Sequence, residues 1–211
     1  MWPEQPADVS ARPIRVVGIG GSLAPGSASL AALKAALGGA AHAGAETELF
    51  DLRRLNLPFY LPGTTDIPTA ARELAEAVYR AQGLLWASPM YHGTVSGAFK
   101  NAVDWLQLLA GREPPFLTDK VVGLISTAGG VQGLQAVNTM EFIVRALRGW
   151  AVPLVMPIPY ASQAFDEAGA PRDARVGDQL RALGAEVVRA ARQMSAHGRC
   201  DYSVSAVGAG R

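Results

Sequence analysis

The sequence predicts a doubly wound α/β domain, a parallel sheet with helices on both faces. Three observations predict it. Five short apolar runs alternate with stretches of helical periodicity. The runs are apolar at nearly every residue rather than at every second one, as in strands covered on both sides. Three of them end in loops rich in glycine, serine, threonine or proline, and in doubly wound sheets such loops gather beyond the carboxyl ends of the strands. A chain of 211 residues is enough for one such domain with a sizeable core.

The first run, Ile14 to Ile19, is β-branched and apolar and leads into Gly20-Gly21-Ser22-Leu23-Ala24-Pro25-Gly26-Ser27. A helix follows from Ala28 to about Leu37, and Gly38-Gly39 is expected to stop it. Glu46 to Leu52 is the second strand. Arg53 to Pro62 is a loop whose Phe59 and Tyr60 are expected to cover the core edge. Thr64 to Asp66 cap a helix over Ile67 to Ala81, with Pro68 in its first turn. Gly83 to Ala87 is the third strand, followed by a helix from Val95 to Leu109. Lys120 to Ser126 is the fourth strand, Leu134 to Leu147 a helix ended by Gly149, and Ala151 to Met156 the fifth strand. The last helix runs from about Val176 to Gln193. Residues 1–12 read as a flexible N-terminal arm, 13–195 as the domain and 196–211 as a disordered tail.

The first loop opens a helix, where backbone N–H groups are unpaired and the helix dipole is positive, so a phosphate is the natural guest. Gly18 and Gly20 match the first two glycines of G-x-G-x-x-G, but Leu23 stands at the third. No lysine lies between Gly18 and Ser29, which excludes a Walker loop. The hydroxyls of Ser22, Ser27 and Ser29 suit a terminal monophosphate such as that of FMN. In the second loop, Ser88 to Thr94, Pro89 stiffens the backbone, Gly93 permits close approach of a flat ligand, and Tyr91 offers an aromatic face. His92 has no carboxylate beside it and reads as a surface or hydrogen-bonded histidine rather than an acid or base. In the third loop, Thr127 to Gly133, Gly129 and Gly130 leave amides uncovered and Gln132 can reach a carbonyl or ring nitrogen. Ala102, Trp105, Leu106 and Leu109 form one apolar stripe, either core, subunit contact or both.

A net charge of +1 gives no nucleic-acid footprint. The single cysteine, Cys200, excludes a disulfide within the chain. No apolar run reaches the roughly 18 residues of a membrane span, and the N-terminal residues do not form a signal peptide. A cytoplasmic protein is expected.

Taken in order, Gly21-Ser22-Leu23-x-x-Gly26-Ser27, Ser88-Pro89-x-Tyr91-x-Gly93 and Lys100-Asn101-Ala102-Val103-Asp104-Trp105-Leu106 resemble the NAD(P)H-dependent FMN reductase family of flavodoxin-like proteins. Gln163 to Glu167 looks like it too, and the resemblance covers Ile14 to Arg192. It implies a five-stranded flavodoxin-like sheet of order 2-1-3-4-5 that binds FMN. It also implies hydride transfer from NADPH or NADH to FMN and on to a small-molecule acceptor such as a flavin, quinone, azo dye or metal oxyanion, in a homodimer or homotetramer. Carried over by position, Gly21, Ser22, Ser27, Ala28 and Ser29 would hold the phosphate. Pro89, Met90, Tyr91, His92 and Gly93 would line the ring, with Thr127, Ala128, Gly129, Gly130 and Gln132 across from them. The flavin would carry the hydride chemistry, so no catalytic side chain and no metal ligand is assigned. The chain departs from the family pattern at Ala24 and Ser29, where arginine and asparagine are frequent. Loss of a charge-assisted bond costs roughly 1.5–3 kcal/mol, or about ten- to a hundredfold in affinity, so weaker FMN binding or a basic group from elsewhere is expected. Two alternatives stand beside this reading: an FMN enzyme dedicated to one small organic substrate, and a non-enzymatic flavin electron carrier, a class that tends to be strongly acidic as this chain is not.

Overall fold

The structure, a computed structural model, describes residues 13–196. The N-terminal arm, the tail from residue 197 and Cys200 lie outside the described residues. In chain order the elements are β1 (Arg15–Gly20), α1 (Ala28–His42), β2 (Glu46–Asp51), α2 (Leu52–Leu55), α3 (Thr69–Arg80), β3 (Gly83–Tyr91), β4 (Thr94–Val95), α4 (Gly97–Asp104), β5 (Val121–Thr127), α5 (Leu134–Ala146), β6 (Trp150–Ile158), α6 (Ala161–Ala164) and α7 (Ala174–Ala196). A 3-10 turn, Trp105–Leu109, prolongs α4.

The main sheet runs β2-β1-β3-β5-β6, all parallel, and β4 pairs antiparallel with the end of β3. With that two-residue strand set aside, the order is the 2-1-3-4-5 expected of a flavodoxin-like sheet. Apolar side chains leave both faces of the central strands. The edge strand β2, expected to be apolar, is mostly polar and exposed because only one neighbour covers it. Val17, Ile19, Leu84, Trp86 and Leu124 meet Leu74, Val78, Phe99, Leu106 and Met140 of the α3–α5 layer. Val16, Leu85, Val121 and Ile125 meet Leu33, Leu37, Leu183 and Val187 of α1 and α7. The stripe Ala102, Trp105, Leu106 and Leu109 is buried within the chain as core.

Gly38-Gly39 does not stop α1, which continues to His42. The reason lies in α7. A Cβ built on Gly39 would stand 2.2 Å from the Arg181 carbonyl oxygen, and one on Gly184 would stand 1.9 Å from that of Ala36. The two helices touch backbone to backbone, and glycine is what that contact requires. Gly38 is exposed, and a Cβ there meets nothing within 4 Å.

Other boundaries move for local reasons. Thr94, expected in the loop, and Val95, expected to open the helix, form a hairpin with β3, and Ser96 caps α4 by accepting the Phe99 N–H. The helix expected from Ile67 starts at Thr69, with Pro68 as its cap residue. β6 contains Pro153 and Pro157, tolerated because it is an edge strand with one ladder side unpaired. Of the aromatic pair in the β2–α3 loop, Tyr60 packs edge-on against Trp105 at 5.3 Å, but Phe59 stays 83% exposed.

These contacts give adjacent glycines opposite roles. Gly38→Ala is expected to stabilise the fold by about 0.5–1 kcal/mol, raising the thermal midpoint by roughly 2–4 °C per kcal/mol. Gly39→Ala and Gly184→Ala should each lower it, by at least the 1–3 kcal/mol typical of overpacking, because the obstructing atoms are backbone. Thermal unfolding of the three variants checks both signs.

Candidate cofactor site at the switch point of the sheet

The strand order reverses at β1, with β2 on one side and β3 on the other. There the chain is pinned by backbone. A Cβ on Gly20 would lie 2.2 Å from the Ala87 carbonyl oxygen, and Gly21, at φ +97°, donates its N–H to that same oxygen at 3.2 Å. Beyond it, the buried Ser22 hydroxyl accepts the Ala24 N–H at 3.0 Å. Ser27 caps α1, its Oγ accepting the Leu30 N–H at 3.2 Å and lying 2.9 Å from the Oγ of buried Ser29. The N–H groups of Ala28 and Ser29 have no acceptor among the described residues. Gly26, at φ +63°, faces open space. Paired hydroxyls and free amides therefore converge at the positive end of a four-turn helix, the chemistry an anion takes.

Asp51, which the sequence reading missed, flanks this loop. A carboxylate oxygen sits 3.5 Å from where a Cβ of Gly21 would be. It accepts the Arg53 N–H at 3.0 Å, capping α2, and the Arg54 guanidinium approaches to 3.9 Å. Ala24 is exposed and brings no charge.

The second loop is a tight hairpin. Met90 faces Val95 and Tyr91 faces Thr94, so the turn is His92-Gly93, at φ +50° and +85°. Two positive φ values are what a two-residue turn between twisted strands needs. Pro89 is buried in the sheet opposite Thr127, and Met90 packs on the α3–α5 core, while Tyr91, His92 and Gly93 reach solvent. The hairpin is braced below by Ser88, whose Oγ accepts the Ser96 N–H at 3.0 Å and donates to the Pro89 carbonyl at 2.9 Å. It leans on α5, where the Thr94 hydroxyl donates to that of Thr139 at 3.2 Å.

In the third loop Thr127 and Ala128 are buried. Ala128 donates its N–H to Ile158 and accepts that of Ala161, both at 2.9 Å, so its peptide groups are committed to the end of β6 and the start of α6. The groups left to a ligand are Gly129, Gly130, the Thr127 hydroxyl and Gln132, whose Oε1 folds back towards Gly130. The Ser126 hydroxyl closes the loop by donating to the Gly133 carbonyl at 2.6 Å. Because β1, β3 and β5 are parallel neighbours, all three loops leave the same edge of the sheet.

The third motif of the sequence is a brace. Asn101 accepts the Tyr60 N–H at 2.9 Å and donates to the Pro58 carbonyl at 3.0 Å, and the Trp105 indole donates to that carbonyl at 3.0 Å. Together they hold the β2–α3 loop. Lys100 and Asp104 form an exposed pair worth a few tenths of a kcal/mol. Elsewhere, a bidentate hydrogen bond from Arg189 holds the Glu186 carboxyl below its usual range, on the exposed side of α7. A cleft of about 340 Å³ lies at the opposite edge of the sheet, lined by Arg15, Glu46, Glu48 and Arg80, whose charges cancel and which none of the three loops reaches. Among the described residues no cluster of His, Cys, Asp or Glu could hold a metal ion, and no helix is long and apolar enough to cross a membrane.

Residues 14–163 match the family described as NADPH-dependent FMN reductase. The chain belongs to that family. It is 34% identical over 161 residues, 76% of its length, to the NADPH-dependent FMN reductase ArsH of Acidithiobacillus ferrooxidans. It is 32% identical over 129 residues, 59% of its length, to the FMN-dependent NADPH-azoreductase of Staphylococcus aureus. The matched stretches span 65% of the length of each relative. Among solved structures, the flavoenzyme NAD(P)H:(acceptor) oxidoreductase FerB of Paracoccus denitrificans superposes with a TM-score of 0.65 over 85% of this chain and 98% of that one, at 21% identity, which shows a shared fold.

The brace has a measurable value. Asn101→Leu leaves the Tyr60 N–H without its partner and the Pro58 carbonyl with the Trp105 indole alone, and is expected to cost about 1–3 kcal/mol, read as a lower denaturant midpoint at unchanged slope.

Proposed function

We propose that this protein is an NADPH-dependent FMN reductase that passes electrons to a small organic or inorganic acceptor. The observation that carries the reading is the convergence of three backbone-lined loops at the switch point, with the free amides and hydroxyl pair of α1 at one end, inside the stretch that matches the family. Bound FMN would supply the hydride chemistry. The chain's own part is to hold and orient it.

Ser27 and Ser29 would donate to the phosphate beside the Ala28 and Ser29 amides, Ser22 would stiffen the turn, and Gly26 would let the group approach. Pro89, Met90 and Tyr91 would form one wall of the ring site and Gly129-Gly130 the other. Ala128 would serve through position alone, its N–H and carbonyl being taken by β6 and α6. The donor set fits a phosphate: neutral hydroxyls, free amides and a helix dipole. It lacks the charge-assisted bond an arginine would add and depends on the turn being rigid. No His–carboxylate dyad is needed, since the residues would orient and shield rather than move protons. NADPH is favoured over NADH because the curated relatives are named for it. Cytoplasmic location and a homodimer or homotetramer complete the proposal.

Purified protein should quench the fluorescence of added FMN, and anaerobic NADPH should bleach the flavin absorbance. Ser29→Ala is expected to weaken FMN binding about ten- to a hundredfold, the value of a hydrogen bond to a charged group. Ser27→Ala should weaken it too and also cost about 1 kcal/mol of stability through the lost cap. A folded protein that takes up no FMN overturns the proposal.

A further inference from the structure

Tyr160 lies between β6 and α6 with φ +49° and ψ +47°. A bulky side chain in this left-handed region is a strained outlier, and such strain collects at functional sites. Two hydrogen bonds impose it. Ala161 donates to the Ala128 carbonyl and Gln163 to that of Tyr160, both at 2.9 Å. The first ties Tyr160 to the third rim loop, one residue before Gly129-Gly130. The side chain is 54% exposed, and its ring pairs with no other ring among the described residues. Phe116 carries the same strain at φ +53°, but its ring packs on the α3–α5 core, and that burial offsets it. Nothing comparable offsets it at Tyr160. Because β3 and β6 flank β5, Tyr91 and Tyr160 stand on either side of the third loop, both exposed at the same edge of the sheet.

We propose that Tyr160 is a positioning residue: a stacking wall for the planar ring of the second substrate, held beside the flavin. The inference rests on the reading of FMN at these loops. The ring is either the nicotinamide of NADPH or an aromatic acceptor, and the chemistry that recognises both is a flat π face against a phenol. Such contacts change affinity by about two- to tenfold.

The test compares the FMN-loaded wild type with Tyr160→Phe, Tyr160→Ala and Tyr160→Gly. FMN affinity is read by fluorescence quenching, KM and kcat are measured separately for NADPH and for a benzoquinone, and thermal midpoints are taken without FMN. The alanine and glycine variants should keep FMN affinity within about twofold while KM rises about two- to tenfold in at least one arm at steady kcat. The phenylalanine variant should behave as wild type. The glycine variant should melt higher, since glycine adopts this φ freely. A rise in the NADPH arm alone assigns the nicotinamide; a rise in the quinone arm alone assigns the acceptor. Unchanged KM in both arms with a more stable glycine variant overturns the proposal and leaves Tyr160 a turn residue. Loss in the phenylalanine variant equal to that in alanine overturns stacking, and a parallel loss of FMN affinity overturns positioning. If the wild type itself binds no FMN, the flavin reading fails first and carries this one with it.

Discussion

One carbonyl oxygen organises the rim. The Ala87 oxygen accepts the Gly21 N–H and leaves no room for a Cβ on Gly20. At this point β1 hands the chain over towards β2 and β3 hands it the other way, so the two loops diverge and a crevice opens between them. A side chain at residue 20 would part the strands where they must be closest. The crevice is therefore a property of the backbone, present before any polar side chain is added. Its other wall is set from far away. α1 can aim its N-terminus at the rim because its distal end lies flat on α7, where Gly39 and Gly184 let backbone meet backbone.

The polar residues at the rim divide into those that build the loops and those left over. Ser88, Ser96 and Ser126 are buried, and each satisfies a backbone group that a turn would otherwise strand. Ala128 spends its N–H on the end of β6 and its carbonyl on the start of α6. Asn101 and Trp105 spend their side-chain donors on the Pro58 loop. What remains for a ligand is the hydroxyl donors of the Ser27–Ser29 pair, whose Ser27 oxygen also caps α1, with the first amides of α1, the Thr127 hydroxyl and the glycine amides of the third loop. Binding capacity is what the scaffold's own hydrogen bonding does not use.

This division explains what was legible in the sequence. The central strands β1, β3 and β5 are buried on both faces and apolar nearly throughout, so they and their loop ends could be read directly. A Gly-Gly pair carries two meanings, helix stop and close approach. Only Arg181, far along the chain, decides between them for Gly39. His92-Gly93 is a hairpin signal as much as a ligand contact, and reading it only as the second hid β4. Asn101 was quoted for its motif, but its partners are main-chain atoms more than 40 residues away, which no local pattern reveals. Tyr160 left no trace, because strain belongs to the backbone and any residue type can be forced into it. Phe59 went wrong for the opposite reason: an aromatic beside a buried aromatic is ordinarily core, and here the Pro58 carbonyl, held by two donors, turns the chain so that only Tyr60 faces inward.

The departure at Ala24 acquires a physical meaning from the same inventory. In the proposed reading a phosphate at this loop meets dipoles and hydroxyls but no cationic side chain, while the Asp51 carboxylate stands behind Gly21, partly compensated by the Arg53 amide and Arg54. Neutral donors select by geometry: they must lie at the right distances at once, and they do so only if the turn is rigid. Rigidity is what Ser22, the Ser27 cap and the Gly21–Ala87 bond provide. A single arginine would add attraction yet tolerate a looser loop. The chain instead concentrates its hydrogen bonds on holding the turn, so the fit of the site depends on the same Ala87 carbonyl that opens the crevice.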